Sequence, residues 1–125
     1  PERLIAYDWV RLPEVDRLEE LARLQGVDFS FCQEDSRRAD IEPTDLLFID
    51  TLHVRSQLEA ELPVAGERVR QFLIFHDTET FGEVGEDGGG GIWPAIAAFV
   101  LRLSNWRLLD HIPANNGLTV LSRCH

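Results

Sequence analysis

The chain has 125 residues, 44% of them apolar and 27% charged, enough material for one globular domain with a single core. Twelve basic against twenty-two acidic residues leave a formal charge of −10, which argues against a nucleic-acid groove or an anionic membrane surface as the partner. No stretch approaches the roughly 20 apolar residues of a membrane span, and Pro1-Glu2-Arg3 does not read as a secretory leader. Cys32 and Cys124 lack the spacing of a redox or zinc motif, so a reduced, cytoplasmic setting is expected.

Arg3 to Val10 opens as a short apolar strand that ends at Asp8. From Pro13, the residues Val15, Leu18, Leu21, Ala22 and Leu24 recur at helical spacing, with Glu19, Glu20 and Arg23 expected to face water. Pro13 suits a first helical turn and Gly26 a stop. Val27 to Cys32 alternates as a strand, and Gln33 to Arg38 reads as a polar loop. Leu46-Leu47-Phe48-Ile49 and Phe72-Leu73-Ile74-Phe75 are continuous apolar runs, the pattern of strands buried on both faces. Between them, Val54 to about Leu62 reads as a helix, with Pro63 and Gly66 marking its end.

The glycine- and acid-rich segment Gly82 to Gly91 reads as a mobile flap. Pro94 to Leu103 is an amphipathic helix, with Trp93 at its start either lining a pocket or joining the core. Trp106 to Leu109 and Leu118 to Leu121 close the chain as strands, and Asn115-Asn116-Gly117 predicts a tight turn between antiparallel partners. This order predicts a single α/β domain over residues 1–125, mostly parallel with an antiparallel carboxyl-terminal edge.

The candidate site lies where the two apolar runs stop. Asp50 and His53 follow the first, and His76 and Asp77 end the second. In an open parallel sheet, the carboxyl ends of neighbouring strands point into one crevice, where ligands bind. Each residue also has an ordinary reading: Asp50 as a helix cap, His53 as a first-turn residue, and His76 with Asp77 as a hydrogen-bonded pair closing a strand.

The segments Phe48-Ile49-Asp50-Thr51-Leu52-His53, Ile74-Phe75-His76-Asp77-Thr78 and Asn115-Asn116-Gly117-Leu118 resemble the carboxyl-terminal part of class I S-adenosylmethionine-dependent methyltransferases. The likeness is greatest to the small-molecule and sugar O-methyltransferase branch that includes cephalosporin-hydroxylase-like proteins. It runs from Leu4 onward, without a counterpart of the family's first strand-helix unit and glycine-rich motif. With no methionine at position 1 either, the chain is expected to be a piece of a longer protein. The resemblance implies a Rossmann-like sheet, S-adenosylmethionine as cofactor, Asp8 on its ribose, and Asp35 with Ser36 at its adenine. A carboxylate that can accept two hydroxyl protons suits the ribose. The competing readings are a turn aspartate for Asp8 and a polar loop for Asp35 and Ser36.

Methyl transfer to a hydroxyl requires that hydroxyl to be deprotonated and held in line. A divalent cation such as Mg²⁺ or Mn²⁺ does both, and carboxylate oxygens from Asp50 and Asp77 are its natural ligands. His53 and His76 are the candidate bases, and a metal-free mechanism using either stays open. The expected partner is a small-molecule substrate, with neither nucleic acid nor membrane, and an unpaired strand edge would favour a homodimer. Two other readings compete with an O-methyltransferase. One is a non-catalytic remnant or fragment acting as a binding module, and the other a metal-dependent hydrolase or hydroxylase in the same crevice.

Overall fold

The computed structural model describes residues 1–125, which divide into two units, Pro1–Asp40 and Ile41–His125. In the first, strand β1 (Arg3–Asp8) runs parallel to strand β2 (Asp28–Gln33), in register from Arg3 opposite Asp28 to Asp8 opposite Gln33. A parallel pair needs a crossover, supplied here by helix α1 (Glu14–Gln25), which Gly26 ends at a φ of 68°. The expected apolar stripe of α1 is not a core face: Val15 is buried, whereas Leu18, Leu21 and Leu24 are half or more exposed. Two strands offer too little surface to cover a twelve-residue helix.

The second unit holds strand β3 (Thr44–Ile49), helix α2 (Arg55–Arg68), strand β4 (Val69–His76), helix α3 (Trp93–Arg102), strand β5 (Trp106–Ile112) and strand β6 (Leu118–Arg123). Its sheet runs β3-β4-β6-β5, with β3 parallel to β4 and β6 antiparallel to both of its neighbours. The chain is therefore α/β, with parallel pairs and an antiparallel carboxyl-terminal edge, although its strands form two sheets. No helix is long and apolar enough to cross a membrane.

The pleat sets the layering. Register aligns Leu47 and Ile49 with Leu73 and Phe75, and these with Leu121 and Thr119. That face carries the core, together with Leu58, Leu62 and Ala65 of α2 and Ile96 and Phe99 of α3. The expectation of strands buried on both faces fails here, since Leu46 and Phe48 stand exposed on the opposite side of β3. A continuous apolar run records residue type, not coverage, and β3 is an edge strand.

Helix α2 does not stop at Pro63 but continues through it to Arg68. An interior proline forgoes one backbone hydrogen bond and costs about 3 kcal/mol. Burial of Leu58, Leu62 and Ala65 on the sheet offsets this, at about 1.5–3 kcal/mol for each leucine. The turn before β6 follows its sequence closely. Asn115, Asn116 and Gly117 all have positive φ, at 53°, 68° and 96°. A side chain at Gly117 would place its Cβ 2.3 Å from the Glu79 amide nitrogen, so only glycine fits.

Candidate active site

Strands β3 and β4 are parallel neighbours, so the residues just beyond their carboxyl ends share one edge of the sheet. Asp50 follows β3 directly, and His53 sits in the short turn before α2. That turn is tied to the helix from behind: the Thr51 hydroxyl donates to the buried carboxylate of Glu61 at 2.9 Å, which also accepts from Gln57 at 2.7 Å. His76 is the last residue of β4. Asp77, next to it, takes a left-handed φ of 56°, a conformation aspartate tolerates better than most residues.

The four predicted residues converge. His53 Nε2 lies 3.1 Å from Asp50 Oδ1 and 3.3 Å from Asp77 Oδ2. His76 Nδ1 lies 3.2 Å from Asp77 Oδ1 and 3.6 Å from Asp50 Oδ2. Neither His76 contact has hydrogen-bond geometry, which leaves His76 Nδ1 and Asp77 Oδ1 buried and without a hydrogen-bond partner. One donor atom each from Asp50, His53 and Asp77 falls within 4.8 Å of the others. His53 and His76 also line a small pocket, whose remaining walls are mostly apolar: Ile49, Leu52, Leu58, Phe75 and Ile92.

Two residues of this site went unread in the sequence. Phe81 stacks on the His53 imidazole, with ring centroids 5.1 Å apart and planes 19° apart. Glu86 accepts a hydrogen bond from the His53 backbone amide at 3.1 Å, and the same carboxylate oxygen meets His53 Nδ1. The contact with the His53 ring, and then the bond from its amide, favour the carboxylate and hold the Glu86 pKa below its ordinary value. The segment carrying Glu86 is not the free flap expected of it. Gly85 and Gly91 donate backbone bonds to Gly89 and Glu83, Glu86 donates to the His53 carbonyl at 3.1 Å, and Arg55 donates to Gly90 at 3.0 Å. The alternation of acid and glycine was the available signal: the glycines permit a tight turn, and that turn carries one acid back to the histidine.

Trp93 belongs with the core, packed against it and tilted over His111 at 5.3 Å. His111 joins a second polar chain. Its Nε2 faces Glu79 Oε1 at 2.6 Å, its Nδ1 faces Thr119 Oγ1 at 2.9 Å, and the buried Thr119 hydroxyl donates to Thr78 at 2.9 Å.

In the first unit, Asp8 ends β1 and Asp35-Ser36 follow β2, so these three residues stand at the same edge of the parallel pair. Asp8 Oδ1 accepts the Val10 amide at 3.1 Å. Asp35 is gripped by Arg37, which donates from its amide, Nε and Nη2 at 2.6–3.1 Å and lowers the Asp35 carboxyl to about 2. Cys32 and Cys124 are both free thiols.

No protein-family profile matches the chain, and no curated protein matches it in sequence. Solved structures do. A proposed methyltransferase from Escherichia coli superposes with a TM-score of 0.64 at 14% identity, covering 99% of this chain and 66% of that one. The shared feature is the methyltransferase fold. The N-methyltransferase NodS from Bradyrhizobium japonicum gives 0.63 at 13% identity, over 98% of this chain and 74% of that one. An O-methyltransferase family 2 protein from Planctomyces limnophilus, solved with apigenin, gives 0.61 at 16% identity, over 98% of this chain and 43% of that one. The chain therefore spans from under half to about three quarters of the length of these proteins.

Proposed function

We propose that this chain is an S-adenosylmethionine-dependent O-methyltransferase domain that acts on a small hydroxylated metabolite or sugar with the help of a divalent cation. The observation that carries this reading is the meeting of Asp50, His53 and Asp77 at adjacent strand ends, within a fold shared with methyltransferases. Two of the matched structures, OxaC and a Streptococcus mutans protein, hold SAH, which supports S-adenosylmethionine as the cofactor here.

The donor set fits a hard cation. Two carboxylates, Asp50 and Asp77, converge, and the buried Oδ1 of Asp77 lacks a hydrogen-bond partner of its own. Asp50 and Asp77 would hold Mg²⁺ or Mn²⁺; when bound, it would lower the pKa of the acceptor hydroxyl as a Lewis acid. S-adenosylmethionine, when bound, supplies a sulfonium methyl group. In this reading Asp8 accepts the ribose hydroxyls, and Asp35 with Ser36 meets the adenine. His53 takes the acceptor's proton at Nε2, the nitrogen turned toward the two carboxylates. His76 is the alternative base, from the same edge.

Calorimetric titration of S-adenosylhomocysteine into the chain tests the reading. Binding that weakens at least tenfold in Asp8→Ala is expected. Absence of binding at millimolar ligand would overturn the enzyme reading and favour a binding module.

A further inference from the structure

We infer that Glu86 is a positioning residue for His53: it anchors the proton on Nδ1 and so presents Nε2 as the working nitrogen. This rests on the reading of His53 as the base, but it concerns the ring itself. The contact is a two-point clamp. The Glu86 carboxylate accepts the His53 amide and meets the ring at Nδ1, while the Glu86 amide donates to the His53 carbonyl at 3.1 Å. Phe81 lies against the ring face and limits its rotation.

Both ring nitrogens face carboxylate oxygens, so a neutral imidazole, which has one proton to donate, must choose between them. The Nδ1 contact with Glu86 is the one fixed by backbone bonds on both sides. The Nε2 contacts with Asp50 and Asp77 lie at 3.1 and 3.3 Å. Glu86 therefore keeps its proton partner, and the Nε2 lone pair points between Asp50 and Asp77, where a substrate proton or a cation would meet it. An imidazole fixed through its second nitrogen by a carboxylate is a recurrent way to set both tautomer and orientation. The glycine segment thus does more than connect β4 to α3: it delivers the carboxylate that orients the base.

The test is ¹⁵N NMR of the histidine ring nitrogens in the full chain, with the pH raised until the ring signals stop moving, so that the neutral form is the one read. His53→Asn identifies the His53 signals. The expected wild-type pattern is a protonated Nδ1 and a bare Nε2. In Glu86→Ala the proton should move to Nε2, where Asp50 and Asp77 accept it. Glu86→Gln should restore the wild-type pattern, because its amide oxygen also accepts. Gly85→Ala gives an independent displacement, since its Cβ would lie 2.9 Å from both the His53 and Gly90 carbonyl oxygens. It should shift the proton as Glu86→Ala does, with the amide spectrum otherwise retained. A bare Nδ1 in the wild-type protein, or a protonated Nδ1 that survives Glu86→Ala, would overturn the inference. Because the measurement reads a ring proton and not turnover, failure of the chain to bind S-adenosylhomocysteine would defeat the methyltransferase reading and leave this result standing.

Discussion

Replacing Thr119 with valine preserves shape and removes one hydroxyl from a fully buried position. That hydroxyl donates to Thr78 at 2.9 Å, so its oxygen is free to accept His111 Nδ1–H, also at 2.9 Å. Thr119→Val therefore leaves two groups without a partner: the fully buried Thr78 hydroxyl and a part-buried imidazole N–H. An orphaned buried polar group costs about 1–3 kcal/mol. The half-exposed Glu79 beyond His111 can recover some loss through water, so the expected destabilisation is about 2–3 kcal/mol. With a urea slope of about 1–3 kcal/mol/M, the unfolding midpoint should fall by roughly 1 M. Thr78→Val alone should cost about 1 kcal/mol, because Thr119 keeps its bond to His111. The double variant should lose less than the sum of the two, with a coupling of about 0.5–2 kcal/mol, since removing both hydroxyls leaves neither threonine orphaned and only His111 unpartnered. Strict additivity, or a Thr119→Val protein within about 0.5 kcal/mol of the parent, would refute the claim that this chain of bonds is satisfied and cooperative.

Two further outcomes follow from the fold and the site. Pro63→Ala should restore an interior bond of α2 and raise stability by about 1–2 kcal/mol, the gain of about 3 kcal/mol reduced by the freer unfolded chain; a lower urea midpoint would show that the proline ring is itself a packing element. Glu86 is more acidic folded than its ordinary value of 4.5, so the stability it contributes is present above that pH and is lost as pH falls through the lower folded value. The gap in urea midpoint between the parent and Glu86→Gln should accordingly be constant near neutrality and narrow below about pH 4.5; a gap unchanged down to pH 3 would count against the His53–Glu86 bond.

Much of the site was legible because strand ends leave a local trace. The runs Leu46–Ile49 and Phe72–Phe75 stop at Asp50 and at His76-Asp77, and a parallel pairing of two such runs is enough to bring those groups together. The Asn115-Asn116-Gly117 turn was equally readable, since its positive φ angles demand those residue types. What could not be read was whatever depends on distant contacts. Pro63 has the local chemistry of a stop, and it is overridden by packing of Leu58 and Leu62 that no window around it reveals. The exposure of Leu18, Leu21 and Leu24 reflects how little sheet lies beneath α1, a property of strand count and not of helical periodicity. Glu86 lies thirty-three residues from His53 in the chain, so nothing near either residue announces the bond between them.

The most direct test of the account is an electron paramagnetic resonance titration of Mn²⁺ into the chain, reading the free-ion signal. If Asp50 and Asp77 hold a cation beside His53, about one Mn²⁺ per chain should be withdrawn from the free pool at micromolar to submillimolar concentration. Asp50→Asn and Asp77→Asn should each release it, while Asp45→Asn, whose carboxylate is taken by Arg70 at 2.8 Å, should not. A free-ion signal unaffected by the wild-type chain, or binding that persists in both site variants, would contradict the assignment of this cluster as a metal-assisted active site.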